Sequence, residues 1–126
     1  MVPDLLVIHE KVLNQQPTSV QKLLDVWFKT LEYRKTHLNE VLPIEAKQAG
    51  TEIKDYQALL KGFKWLTPQD CIKAFEPGNT TESAVYASDV IADFMLKQKL
   101  ISNKPGSFTS FIDSRFVNQY LASKSA

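Results

Sequence analysis

Two histidines, one cysteine and a glycine-led run of hydroxyl residues are the side chains of this sequence best suited to chemistry. His9-Glu10 begins like a zinc-protease helix. That motif needs a second histidine four residues on, and position 13 is Leu13. His37 stands far away in sequence. His9 reads instead as the end of an extended segment, and His37 as a helix C-terminal residue, where partial positive charge is favoured. Cys71 falls near a predicted helix N-terminus, a place that lowers a thiol pKa. A nucleophile also needs a base and an oxyanion site. A free cysteine without them reads as a small buried hydrophobe.

Pro77-Gly78-Asn79-Thr80-Thr81-Glu82-Ser83 sets a glycine and several hydroxyls ahead of a long predicted helix. Backbone N–H groups at a helix start, with the hydroxyls of Thr80, Thr81 and Ser83, could cradle an anion. Glu82 puts negative charge into the same turn, and no lysine sits where a phosphate loop needs one. A capped helix start is therefore the competing reading. Trp65, close to Phe63 and ahead of Thr67, could line a ligand pocket, because aromatic rings offer rigid contact area. Packing between helices is the alternative. The candidate ligand-binding residues are Trp65, Asn79, Thr80 and Thr81. No catalytic residue, metal ligand or cofactor is expected.

The elements that would position these residues are mostly helical. Leu5-Leu6-Val7-Ile8 reads as a buried β-strand, and no later run looks like a strand to pair with it. A lone strand leaves backbone groups unpaired. Its sheet must then come from a second copy, a partner or a longer parent. Pro17 suits a first helical position. Val20, Leu23, Leu24, Trp27, Phe28 and Leu31 follow at helical spacing, with Gln21, Lys22, Asp25, Lys29 and Glu32 opposite. Asp25 and Lys29 can pair across one turn. This helix should end near Thr36 or His37. Asn39 is expected to cap a short second helix that stops at Gly50.

Thr51 should cap a third helix with the stripe Ile53, Tyr56, Leu59, Leu60 and Phe63. Thr67-Pro68-Gln69-Asp70 opens a fourth, carrying Cys71, Ile72, Ala74 and Phe75. A fifth, long helix should start at about Thr80, with Asn79 and Glu82 as a capping box. Its buried stripe would be Ala84, Ala87, Ile91, Phe94 and Met95. After a loop holding Pro105 and Gly106, Asp113 should cap a last helix. The expected fold class is mainly α, about five to six helices with one short N-terminal strand, forming a single domain over residues 1–126.

Composition narrows the function. The formal net charge of +1 lacks the basic stripe of a nucleic-acid binder. Cys71 is the only cysteine, so neither an internal disulfide nor a cysteine zinc cluster can form. His9, Glu10 and Lys11 cut the first apolar run short of a signal peptide, and no segment is long enough to span a membrane. As written, the chain would be cytoplasmic. An export signal, if the fold starts upstream, would lie there.

The segment order carries a resemblance. Leu6-Val7-Ile8-His9-Glu10-Lys11-Val12-Leu13-Asn14-Gln15-Gln16-Pro17 resembles the entry into the long helix of the solute-binding proteins of nitrate, sulfonate, taurine and bicarbonate ABC transporters. There an apolar strand, a charged pair and Asn-Pro precede that helix, and Gln16-Pro17 stands here for Asn-Pro. Gly62-Phe63-Lys64-Trp65-Leu66-Thr67 is similar to the family's aromatic link. Phe75-Glu76-Pro77-Gly78 and Val85 to Phe94 resemble its late segment, with Lys99-Leu100-Ile101 in place of Gly-Leu-Ile. Phe111 to Val117 is similar to its terminal segment.

The resemblance runs through nearly the whole chain but covers only the C-terminal part of such a protein. It implies part of an α/β type II periplasmic-binding-protein lobe. It also implies a small anion or sulfonate-like solute, a membrane permease as partner and a periplasmic parent. A chain of this extent would not close on a solute alone. The residues that set specificity in that family are mostly absent from it. The alternative is a helical interaction module that forms a homodimer through Leu5–Ile8. A thiamine-precursor enzyme family shares the clamshell fold, but its cysteine-rich stretch is missing here. The expectation is a non-enzymatic protein.

Overall fold

Val20, Leu24 and Phe28 recur at helical spacing, and the helix that carries them organises the molecule. The computed structural model describes residues 4–124. Helix α1 spans Glu10–Gln15 and α2 spans Pro17–Thr36, with proline in the first turn of α2. Then come α3 (Leu38–Gln48), α4 (Ile53–Leu60), α5 (Pro68–Phe75), α6 (Ala84–Lys97) and α7 (Arg115–Lys124). A short 3-10 turn at Thr109–Phe111 precedes α7.

Val20, Leu24 and Phe28 of α2 are buried against Phe116, Val117 and Tyr120 of α7. The Phe28 and Tyr120 rings lie 4.9 Å apart. Cys71, Ile72 and Phe75 of α5 close this core from another side, and Ile8 and Leu13 pack at its edge. Leu42 and Ala46 of α3 are also buried, and α3 lies against α4. Helix α5 touches α7 and α6.

Helix ends follow local chemistry. Helix α3 stops in a Schellman motif: Gly50 takes φ +67°, its N–H donates to Lys47, and the Thr51 N–H donates to Ala46. Helix α6 ends the same way without a glycine. Lys99 takes φ 57°, its N–H donates to Leu96, and the Leu100 N–H donates to Met95. Thr67 and Asp70 form a reciprocal capping box on α5.

Several expectations are corrected. The described residues contain no strand and no sheet, so neither the N-terminal strand nor a partial α/β lobe is present. Residues 4–9 are irregular, and Leu5, Leu6 and Val7 are 70%, 62% and 83% exposed. Apolar, β-prone residues make a strand only when another backbone completes the ladder. The chain forms seven α-helices among its described residues, because α1 adds a turn and a half between the extended segment and Pro17.

Caps also move. His37, Glu52 and Ser83 precede α3, α4 and α6, in place of Asn39, Thr51 and Asn79. On α2, Leu23 and Trp27 are largely exposed. Gln21, assigned to the outer face, is buried and donates to Asp25 and to the Phe116 carbonyl. On α6, Ile91 and Phe94 are 56% and 59% exposed, and Ala92 is the buried residue.

Candidate functional site

Trp65 is held by the irregular link between α4 and α5. Its ring centroid lies 6.1 Å from that of Trp27 and 6.3 Å from that of Phe63. The guanidinium of Arg34 sits 5.3 Å from the Trp65 ring centre, a cation–π contact. Arg34 is fixed by Glu45 of α3, which accepts two hydrogen bonds at 2.7 and 3.1 Å. This pairing strengthens the guanidinium's hold on its proton. The indole is thus clamped between α2 and the link and remains 38% exposed.

Two concavities meet at Trp65. One, of about 270 Å³, is floored by Phe28 and Leu31 and walled by Trp65, Thr67, Gln69 and Tyr120. Glu32, Lys35 and Lys124 bring charge to its rim. The other, of about 420 Å³, lies toward Ile44, Glu45 and Tyr56. Glu32 accepts hydrogen bonds from the Lys124 amine and the Tyr120 hydroxyl, both at 3.1 Å. These bonds, Lys124's first, hold the Glu32 carboxyl below its usual range. Burial, then the bond to Glu32, pushes the Tyr120 hydroxyl up. The triad is therefore ionised as carboxylate and ammonium with a neutral phenol at neutral pH, a tie between α2 and α7.

Asn79, Thr80 and Thr81 lie apart from this groove, and none of them lines either concavity. They are exposed in the turn before α6. The hydroxyl of Thr80 accepts from the Glu82 N–H at 3.4 Å. Ser83 is buried, donates to the Glu76 carbonyl at 2.7 Å and accepts from the Tyr86 N–H. The Ser83 hydroxyl thus closes the 76–83 loop, and the Thr80 hydroxyl makes a local bond within it. A Cβ on Gly78 would lie 3.0 Å from that of Ser83, a close approach that glycine permits. The structure does not bring Trp65 together with Asn79–Thr81.

The other reactive groups have structural partners. His9 caps α1, its Nδ1 accepting from the Lys11 N–H at 3.1 Å. It therefore opens a helix, where the sequence suggested the end of a strand. His37 ends α2 as expected and stacks on Tyr33 with ring centroids 3.9 Å apart. Burial, with Asp70 alongside, pushes the Cys71 thiol up, opposite to what a helix N-terminus would do to a nucleophile. Among the described residues, no three His, Cys, Asp or Glu side chains gather as a metal site. No described helix is long and apolar enough to cross a membrane.

The Glu32–Tyr120–Lys124 and Arg34–Glu45 pairings were not legible in the sequence. Glu32 and Tyr120 are brought together only by the packing of α7 on α2. Arg34 and Glu45 sit on successive helices whose crossing no periodicity predicts. Comparison with protein-family models, with curated proteins and with solved structures finds no match.

Proposed function

We propose that this chain is the helical C-terminal portion of the solute-binding component of an ABC importer for a small anion or sulfonate-like solute. The parent works outside the cytoplasm and hands its solute to a membrane permease. The observation that carries this reading is an excess of surface. The chain exposes 9904 Å² at a mass of 14.3 kDa. A free globular protein of that mass exposes about 6,800 Å². The surplus of roughly 3,000 Å² includes Leu5, Leu6 and Val7, the α2 residues Leu23, Val26 and Trp27, and Ile91 and Phe94 of α6. Surface in this excess, with large apolar side chains among it, is what a larger fold covers. The order of segments along the chain supports the same family. Trp65 is the one sequence-predicted contact that lines a concavity. The shallow groove there does not enclose a solute by itself.

The reading is tested in the gene. The reading frame is expected to continue upstream of the Met1 codon into the rest of an exported two-lobed protein. That longer protein should bind nitrate, taurine or an alkanesulfonate by calorimetry, and the 126-residue chain should not. An in-frame stop immediately upstream overturns the proposal.

A second reading is self-association through Leu5–Val7, favoured by their exposure. It ranks lower because Leu5–Val7 are only part of the exposed apolar residues, which also lie on α2 and α6. Sedimentation decides it. A dimer lost on Leu6→Pro supports this second reading, and a monomer indifferent to Leu6→Pro removes it.

A further inference from the structure

We draw no further inference here: the strongest candidate, the exposed apolar face of α6 formed by Val90, Ile91 and Phe94, belongs to the surplus surface already assigned to the proposed parent, and nothing in the structure shows what else covers it.

Discussion

Lys99 holds the left-handed conformation that ends α6, with φ 57°. A side chain in this region costs roughly 1–2 kcal/mol, part of which glycine gives back as extra freedom in the unfolded chain. Lys99→Gly is expected to stabilise the chain by about 0.5–1 kcal/mol in urea unfolding. Gly50→Ala is the mirror case. Its φ is +67° and no atom crowds the new Cβ, so the loss of about 1 kcal/mol comes from backbone strain alone. If both substitutions shift stability in the same direction, the helix-end account fails. Glu32 gives a pH signature. Its folded carboxyl lies below the ordinary value of 4.5. The stabilisation is therefore fully present above that value and is lost as pH falls through the depressed folded value. The stability difference between the native chain and Glu32→Gln should be constant near neutrality and shrink below about pH 4.5. A difference that widens on acidification would contradict the Lys124 and Tyr120 bonds.

Helix α5 shows which elements a sequence reveals. Thr67, Pro68 and Asp70 act within one turn, so cap, first position and acidic residue were all readable and all are found. Thr67→Ala should cost about 1 kcal/mol by removing the capping box. Helix α2 was readable as an element for the same reason, with Pro17 and His37 marking its ends, but Leu23 and Trp27 of its expected stripe are exposed and Gln21 is buried. What α2 packs against was not readable. Phe116, Val117 and Tyr120 meet Val20, Leu24 and Phe28 across most of the chain, and only the tertiary fold chooses that pairing. Asn79 and Ser83 could each cap α6 on local grounds. Ser83 does so because its hydroxyl also reaches the Glu76 carbonyl. Trp65 was legible as an aromatic link, but its clamp by Arg34 depends on the α2–α3 crossing. Tyr120→Ala removes both the ring against Phe28 and the bond to Glu32. It is expected to cost about 3–5 kcal/mol, enough to unfold a marginal domain. Tyr120→Phe keeps the ring and should cost far less, so similar losses for the two would refute the packing argument.

The molecule as a whole has a small core and a large apolar surface, and one substitution separates an uncovered surface from an ordinary one. Leu6 is 62% exposed in an irregular segment. In the isolated chain, Leu6→Ala removes little packing and should change stability by no more than about 0.5 kcal/mol. In a longer parent that covers this segment, the same change opens a cavity and should cost about 2–5 kcal/mol. Phe94, 59% exposed on α6, gives a second copy of the experiment on another element, with Phe94→Ala mild alone and costly in the parent. The isolated chain should also bind a hydrophobic dye and lose that binding when joined to the parent, because the same apolar area is transferred from water to protein contacts. Urea unfolding of both forms decides the matter. Equal, small effects of Leu6→Ala in the chain and in the longer protein would mean that these residues are solvated in both. The surplus surface would then have no bearing on what the chain belongs to.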